Sequence, residues 1–568
     1  MYISDLISDS LLSSLQRLHA AAWNNGDNVS GVFTRHPVRW DPGSNFADAR
    51  LKGQKTVTVI RWESGVDGKQ HLLEKYNVNA VLIRDEYSST LREIIRCTSA
   101  DDSEVDAMAN FQSEIENPFR HQLPEFDMSG VSVTGTPGIG KSMFLIYVLV
   151  LRLLAGKPTF FCDKLSHGFL LDTSGVTIVS SDALDTESQP EGTWFLVDSR
   201  QELMSVTQDI ITACRTSNGF IIQSAPPRTP NFAWFTKIGN RMPWKIYMAP
   251  WSLEELIAGR DLQRHNAHLS GQQIRDFTEK FGTSARYVYG GAHTPSSHER
   301  LIMEKISILN LDAMKDLINV PVRGVRFDEY LSHLYLFNIL YPNDRKHCIM
   351  GIPTRYLTER VHEHLRRVHR VPTRDLYQYL VTNAFTGASA GYLLERLFFE
   401  QFPDGGEWPM KTMKRHFPST NNVHWHYDEA STIQFLRLGW QGLLDIGDVS
   451  VGNVPSGAFQ PVRRVSFAKG EKLTLDYAFY IPLSKSQVSF DAFVFTPGSV
   501  ATIFQVTVEK EHEIKVDGLS WLEKLGARYM DLVVVTCPNK ETLGGCDNIK
   551  VLKSHAHVLR NVYHLEVE

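Results

Sequence analysis

The chain has 568 residues, of which 42% are hydrophobic and 22% are charged, and its formal net charge is −5 at pH 7. These values are ordinary for globular protein and predict roughly three or four domains. They exclude a uniformly basic chain that would coat nucleic acid, so any surface for nucleic acid must be local. The six cysteines form no CxxC pair, which favours reduced thiols in a cytosolic or nuclear protein over a disulfide framework.

The first 125 residues combine one helical pattern with strand-like pieces such as TVTVIRW and NAVLIRDEY. We interpret them as an N-terminal accessory region packed on the domain that follows. The first 23 residues lack a basic start and an unbroken apolar core, so the sequence predicts no conventional signal peptide. The most apolar run, MFLIYVLVLRLLAG, contains Arg152 and is too short to span a membrane. It predicts a buried helix, and we expect no membrane partner.

A phosphate-binding loop is predicted by VSVTGTPGIGKSMFLIYVLV, in which a β-branched strand, a glycine-rich loop and an apolar helix follow one another. The loop fits GxxxxGK[ST] in full, and comprises Gly135, Thr136, Pro137, Gly138, Ile139, Gly140, Lys141 and Ser142. Its backbone N–H groups and the helix N-terminus would face the phosphates of ATP (or GTP). Lys141 would reach the terminal phosphates, and Ser142 would bind Mg²⁺. The alternative is a glycine-rich turn before a core helix.

An acid for the metal is predicted at the end of a second strand, in TWFLVDSR, where Asp198 follows four apolar residues. ATPases of the AAA+ and related classes usually carry a glutamate directly after this aspartate to polarise water. This chain has Ser199 there, and Glu202 is the nearest substitute. We therefore expect nucleotide binding with slow hydrolysis. The alternative is a solvated aspartate at a strand end.

Two further side chains are candidates for contact with the terminal phosphate. GFIIQSAPPR predicts a strand ending at Gln223 and Ser224, where a polar side chain could sense the γ-phosphate. FGTSARYVYGG resembles the GGxxR element in the helical lid of such ATPases. That resemblance makes Arg286 a candidate phosphate sensor, with a surface arginine as the alternative.

The middle of the chain changes from alternating strands and helices to helices. Residues 126–250 have the pattern of a parallel sheet flanked by helices. Residues 251–385 are predicted to form a helical lid and connector. Within them, RKHCIMGIPTRYLTERVHEHLRRVHRVPTR is rich in arginine and histidine. Such a run can meet the phosphates of nucleic acid, and a solvated helix face is the alternative.

The last segment, residues 386–568, predicts a helix, three strands, a second helix and a last strand. The helix is SAGYLLERLFFEQF, the strands are KLTLDYAFYI, QVSFDAFVF and VATIFQVTV, and DGLSWLEKLGARYM and DLVVVTC complete the order. This αβββαβ order is the core of the restriction-endonuclease-like fold. In that fold an acid at a bend of the second strand, an acidic or amide residue on the third strand and a helix glutamate form a metal site. Asp491, Gln505 and Glu395 occupy these positions here.

Oxygen ligands of this kind suit Mg²⁺, which would activate water and hold the scissile phosphate. The pattern PD-(D/E)xK places a lysine two residues after the third-strand acid, where this chain has Thr507. Lys510 or His512 could supply the missing cation from beyond the strand end. The alternative is the polar face of a half-buried sheet that does no chemistry.

Together, TGTPGIGKS, WFLVDS, IIQSAPP, YMAPWSLEEL and FQVTVEKEH resemble the Crinkler-type effectors and retrotransposon-hot-spot-like proteins of fungi, oomycetes and protists. Members look like a P-loop NTPase joined to a restriction-endonuclease-like domain with a QxTxxxxH tail, which Gln505, Thr507 and His512 match. The resemblance covers roughly residues 126–568. It implies action on DNA, often in a nucleus. The LFLAK-like header of Crinkler proteins is not visible in this sequence.

The sequence therefore predicts an α/β multidomain protein that binds ATP and Mg²⁺ and cuts DNA, with nucleotide binding regulating the nuclease domain. A nuclear or cytoplasmic location, delivery into a host cell without a conventional signal peptide, and formation of a homo-oligomer are further expectations. The rival prediction is a nucleotide-switched protein whose nuclease-like domain binds nucleic acid without cutting it. Ser199 and Thr507 favour the rival, whereas Gln505 and His512 favour the enzyme.

Overall fold

The structure of the protein is a computed structural model. It describes residues 3–26, 31–40, 55–62, 72–73, 76–98, 117–121, 129–186, 188–199, 203, 205–227, 229–237, 244–264, 269–323, 338–340, 345–369, 371–382, 387–417, 422–426, 431–452, 457–468, 471, 473–483, 490–496, 499–508, 511–514, 516–536, 548–552 and 556–567. The chain divides into two compact units, Met1–Val361 and His362–Glu568. The four domains predicted from the sequence, with their three boundaries, stay predictions.

The first unit begins with two helices and a small sheet. The helices are α1 (Ile3–Ala22) and α2 (Asp85–Thr98), and the strands are β1 (Phe33–Pro37), β2 (Thr56–Ile60) and β3 (Val81–Leu82). The strands pair antiparallel in the order β1–β2–β3. Both strand-like pieces named in the sequence, TVTVIRW and NAVLIRDEY, contribute a strand to this sheet. The N-terminal region therefore contains regular structure of its own.

The main sheet of the first unit follows. Its strands are β4 (Gly130–Thr134), β5 (Thr159–Cys162), β6 (His167–Asp172), β7 (Gly175–Ser180), β8 (Trp194–Asp198), β9 (Phe220–Ser224) and β10 (Trp244–Tyr247). Among the described residues, the order across the sheet is β10–β4–β9–β8–β5–β6–β7. The first five strands in that order run parallel, as the sequence predicted. β6 and β7 pair antiparallel and form an extension that the sequence did not predict.

Helices cover this sheet and continue beyond it. They are α3 (Lys141–Leu154), α4 (Ser181–Thr186), α5 (Gln208–Thr216), α6 (Leu253–Gly259), α7 (Gly271–Phe281), α8 (Ala285–Gly291), α9 (Pro295–Ser307) and α10 (Leu311–Arg323). Every residue of α3 from Phe144 onward is buried, as expected for a helix that is apolar on all sides. The helical prediction for residues 251–385 missed one short antiparallel pair, β11 (Asn338–Leu340) with β12 (Ile349–Gly351).

The second unit is built around a large sheet. Its helices are α12 (Thr373–Thr382), α13 (Gly387–Gln401) and α14 (Val516–Lys524), while α11 (Arg355–His369) contains the boundary between the units. Its strands are β13 (Gly406–His416), β14 (Asn422–His426), β15 (Ile433–Trp440), β16 (Leu443–Gly447), β17 (Arg464–Phe467), β18 (Phe479–Pro482), β19 (Ala492–Thr496), β20 (Val500–Val506), β21 (Glu511–Ile514), β22 (Tyr529–Thr536), β23 (Asn548–Leu552) and β24 (Leu559–Glu566).

The predicted helix, three strands, helix and strand are present in the second unit as α13, β18, β19, β20, α14 and β22. β18, β19 and β20 are antiparallel neighbours, and β22 pairs parallel with β20. However, the described residues place β13 to β17 between α13 and β18, and none of these five strands was predicted. The plain αβββαβ order is therefore wrong as a description of the whole unit. Whether the unit is a nuclease domain stays a prediction.

In the described part of the chain, no helix is both long enough and apolar enough to cross a membrane.

Candidate functional site

The predicted phosphate-binding residues meet at one edge of the main sheet of the first unit. β4, β9 and β8 are parallel neighbours, and in their register Ser224 pairs with Val133 and with Asp198. Gly135 directly follows β4. In parallel sheets flanked by helices, ligands bind beyond the carboxyl ends of the strands. The edge that carries the loop, Asp198 and Ser224 is the place where such a ligand is expected.

Two glycines in the loop have backbone conformations and surroundings that exclude a side chain. Gly138 has φ +81°, and a Cβ there would lie 2.6 Å from both Ser284 Oγ and Arg286 Cβ. Gly140 has φ +96°, and a Cβ there would lie 2.4 Å from the hydroxyl of Tyr87. Residues other than glycine rarely adopt such φ values. Gly138 and Gly140 are therefore required by the backbone conformation and the packing of this loop.

The loop is held from outside by residues that its motif does not contain. The buried Arg84 guanidinium donates hydrogen bonds to the Ile139 and Pro250 carbonyl oxygens, both at 2.9 Å, and pairs with Glu255 at 3.0 Å. Trp251 Nε1 donates to the same Ile139 oxygen at 3.0 Å, and Arg84 stacks over the Trp251 ring. Both side chains therefore donate to the Ile139 carbonyl and stabilise the conformation of the loop. Neither Arg84 nor Trp251 belongs to the loop motif, and neither was predicted from the sequence to contact it.

Lys141 lies inside the loop, where its Nζ donates to the carbonyl oxygens of Gly135 at 3.0 Å and Thr136 at 3.1 Å. The pKa of Lys141 is lowered to about 7, chiefly by burial and also by charge repulsion from Arg286, while Asp198 acts in the opposite direction. Two cationic side chains therefore lie close enough to disfavour each other's charge. A bound phosphate would relieve that repulsion.

We expect nucleotide affinity to fall as the pH rises above about 7. A bound phosphate favours the charged ammonium, so it raises the pKa of Lys141 above the value of about 7 in the free protein. The affinity is then full below about pH 7 and is lost progressively between pH 7 and the higher pKa of the complex. Calorimetry from about pH 7.5 to 9.5 avoids titration of the terminal phosphate, whose second pKa is about 6. Runs in two buffers of different ionisation enthalpy should show proton uptake on binding.

Lys141→Arg is the matched variant for this measurement, because a guanidinium stays charged throughout the range. The nucleotide affinity of this variant should not decrease between about pH 7.5 and 9.5 as the affinity of wild type does, whatever its absolute value. A wild-type affinity that stays constant across the range, without proton uptake, would contradict the assignment of Lys141.

Ser142 and Asp198 form the candidate Mg²⁺ site. Ser142 Oγ donates a hydrogen bond to Asp198 Oδ1 at 2.8 Å, and Asp198 is 1% exposed. Tyr76 from the N-terminal region donates to Asp198 Oδ2 at 3.0 Å. Among the described residues, no group of three or more His, Cys, Asp or Glu side chains is arranged to hold a metal. A hydroxyl and a carboxylate fit Mg²⁺ nevertheless, because this ion keeps several waters and takes further ligands from substrate phosphates.

The residues after Asp198 form a neutral polar network. Gln223 donates from Nε2 to Ser199 Oγ at 2.7 Å, and Trp234 Nε1 donates to Gln223 Oε1 at 2.7 Å. Ser199 and Ser224 both line the cleft. Among the described lining residues, Asp198 is the only carboxylate. Glu202, the predicted substitute base, lies outside the described residues.

The cleft itself has a volume of about 660 Å³ and lies within the first unit. Its lining includes Gly138, Gly140, Lys141, Ser142 and Asp198. Arg286 at the start of α8 also lines it, and Ser284 just before α8 donates from Oγ to the Pro137 carbonyl at 2.8 Å. Arg286 thus lies beside the loop, and its role as a phosphate sensor stays a prediction. The volume is in the range of small-molecule sites.

In the second unit, the structure brings Asp491 and Gln505 together. Asp491 precedes β19 and Gln505 lies near the end of the adjacent β20. Gln505 Nε2 donates to Asp491 Oδ2 at 2.7 Å, and the Val506 N–H donates to the same oxygen at 2.8 Å. Gln505 and Thr507 are buried, at 8% and 6% exposed. The amide nitrogen of Gln505 faces the carboxylate, so the amide would have to turn over before its oxygen and the Asp491 carboxylate could both be ligands of a hard cation.

Glu395 is buried on α13, three residues before Phe398, whose ring centroid lies 5.5 Å from that of Phe504 on β20. The helix that carries the predicted third ligand therefore packs against the strand that carries Gln505. A metal site formed by all three residues stays a prediction. Lys510 and the side chain of His512 lie outside the described residues.

No protein-family model matches the sequence, and no curated protein matches it. A katanin structure, from work on the structural basis for katanin self-assembly, aligns at 12% identity over 43% of this chain and 75% of its own, with a TM-score of 0.21. AMPPCP-bound DnaA from Aquifex aeolicus aligns at 11% identity over 48% of this chain and 82% of its own, with a TM-score of 0.19. At these scores neither alignment supports an argument about function. The resemblance to Crinkler-type effectors stays a prediction.

Proposed function

We propose that the first unit binds a nucleoside triphosphate, ATP or GTP, with Mg²⁺ in the cleft. The observation that carries this proposal is the contact of Ser142 Oγ with Asp198 Oδ1 at 2.8 Å, beside a glycine-rich loop that holds Lys141. A serine on the helix after the loop and an aspartate at the end of a neighbouring strand are the pair that Mg·nucleotide binding requires. A structural glycine-rich turn would not need either the serine or two converging cations.

Different residues of the cleft would bind the phosphates and the metal ion. The loop N–H groups and the N-terminus of α3 bind the phosphate oxygens, and Lys141 and Arg286 neutralise their charge. Ser142 and Asp198 hold Mg²⁺, which when bound shields the charge of the phosphates. Ser199 positions a water only weakly, because a serine hydroxyl is a poor base at neutral pH. Binding is therefore efficient and hydrolysis slow.

The direct test is calorimetry of the full-length chain with ATP and GTP, with and without Mg²⁺, followed by a phosphate-release assay. We expect binding that Mg²⁺ strengthens, and turnover below about 1 per second, at the low end of typical enzymes. Absence of binding to both nucleotides would refute the proposal. Fast hydrolysis would show instead that a residue outside the described cleft lining, such as Glu202, acts as the base.

A second candidate function concerns the second unit. The Asp491–Gln505 contact favours metal-dependent cleavage of a phosphodiester, with DNA as the substrate that the family resemblance implies. Asp491 and Gln505 would hold Mg²⁺, and Glu395 would complete the site. The rival is nucleic-acid binding without cleavage, which Thr507 at the lysine position favours. Asp491→Asn distinguishes the two functions, because it should abolish cleavage and leave nucleic-acid binding unchanged.

A further inference from the structure

A tyrosine from the N-terminal region holds the carboxylate of the candidate Mg²⁺ site. Tyr76 donates its hydroxyl proton to Asp198 Oδ2 at 3.0 Å, while Ser142 donates to Oδ1 at 2.8 Å. An ionised carboxylate can only accept hydrogen bonds. Two donors on different oxygens therefore fix the rotation of this buried group. Neither the loop motif nor the strand that ends at Asp198 contains Tyr76.

Tyr76 is placed by backbone pairing along the cleft. The Asn79 N–H donates to the Leu262 carbonyl at 2.8 Å, and the Arg264 N–H donates to the Asn77 carbonyl at 3.2 Å. Val78 forms a β-bridge with Gln263 between these two bonds. The segment that carries Tyr76 is thus anchored to the backbone just after α6, next to the cleft. The main sheet positions Asp198, whereas Tyr76 is positioned by a segment that lies outside this sheet.

We propose that Tyr76 is a positioning residue of the magnesium site, which it serves by orienting Asp198. The inference rests on the proposed binding of nucleotide with Mg²⁺. Groups that hydrogen-bond to a metal ligand orient it, and losing one typically lowers metal affinity about 10- to 100-fold. Since the Tyr76 hydroxyl contacts the carboxylate and the loop does the phosphate binding, its loss should affect the metal requirement specifically.

Tyr76→Phe removes the hydroxyl and keeps the ring. We expect this variant to need about tenfold more free Mg²⁺ than wild type for half-maximal strengthening of ATP binding in calorimetry. Its ATP affinity in EDTA should stay within about twofold of wild type, because the loop and Lys141 are untouched. A tyrosine with a merely structural role would change both affinities together, or neither.

Tyr480→Phe is the matched control. The buried Tyr480 on β18 does not line the cleft, and its hydroxyl donates to Asp476 Oδ1 at 2.7 Å, so this variant also loses a tyrosine–carboxylate hydrogen bond. It should lower the melting temperature in EDTA without changing the Mg²⁺ requirement. An unchanged Mg²⁺ requirement in Tyr76→Phe, with wild type binding ATP normally, overturns the inference alone. A wild-type chain that binds no nucleotide overturns the proposed function and this inference together.

Discussion

Lys141→Ala is expected to abolish measurable ATP binding while leaving the fold intact. The ammonium group lies inside the loop, within hydrogen-bonding distance of the Gly135 and Thr136 carbonyls, where a terminal phosphate would be bound. Removing one partner of a buried charge-assisted contact typically costs about 2–5 kcal/mol, or roughly 30- to several-thousand-fold in affinity. Calorimetry with Mg·ATP measures this loss directly.

In contrast to the ATP affinity, the stability of the ligand-free chain should not decrease in Lys141→Ala. The lowered pKa of Lys141 shows that burial penalises its charge, so its removal should not lower the melting temperature in the absence of nucleotide. ATP should raise the melting temperature of wild type and not that of the variant, because only binding to the native state stabilises it. Lys157→Ala, at an exposed position just beyond the same helix, is the control and should bind as wild type does. Equal ATP affinity in Lys141→Ala and wild type would exclude this loop as the nucleotide site.

The glycine-rich loop and the candidate metal pair, Ser142 and Asp198, could be named from the sequence because their signals are local. A glycine that needs positive φ, such as Gly140, and a lysine next to it are neighbours in the chain, and a buried strand that ends in an acid marks Asp198. The residues that support them are not local. Arg84 and Trp251 bond to the same Ile139 carbonyl from 55 and 112 positions away. In NAVLIRDEY the arginine has the pattern of a solvated charge at a strand end, yet it is 2% exposed.

The second unit shows why strand prediction failed there. β13 spans Gly406–His416 and contains Pro409 and several basic residues, a composition that argues against a central strand. In the structure Pro409 pairs with Phe435 on β15, whereas the pairing of β13 with β24 begins only at Met410. The missing N–H of the proline therefore costs no bond to β24. Pairing with β24, more than 140 residues away, compensates for the poor strand propensity of β13. A short window of sequence around β13 does not contain this partner.

Loss of the Asp491 carboxylate is expected to eliminate DNA cleavage, if the second unit is a nuclease, and to spare both DNA affinity and ATP binding. Asp491 Oδ2 accepts hydrogen bonds from Gln505 Nε2 and the Val506 N–H. Asp491→Ala would remove the acceptor of both bonds and leave Gln505 Nε2 only its 3.4 Å contact with the Val506 carbonyl, at about 1–3 kcal/mol for each buried donor that loses its partner. Asp491→Asn is the cleaner variant, because its amide oxygen can take the position of Oδ2 and accept from both groups. It removes only the charge that a metal would need.

Gln505→Glu tests the same site in the opposite direction. The substitution places two carboxylates where the structure has an acid and an amide at 2.7 Å. Like charges this close destabilise the fold unless a cation lies between them. We therefore expect a lower melting temperature in EDTA, recovery on adding Mg²⁺, and cleavage that is retained or raised. A melting temperature that does not respond to Mg²⁺ would contradict a metal site at this pair.

The control for Asp491→Asn is Asp531→Asn on β22. Asp531 is 1% exposed, and it bonds to Arg560 and Asn561 and not to Gln505. Its loss should lower stability and leave the rate of plasmid nicking per folded molecule unchanged. The assay is a Mg²⁺ series with and without ATP, on wild type and both variants, with DNA affinity measured in parallel. Full cutting by Asp491→Asn would refute the metal-site assignment. DNA binding without any cutting by wild type, under every metal and nucleotide condition, would identify the second unit as a nucleic-acid-binding domain whose acid and amide serve only its fold.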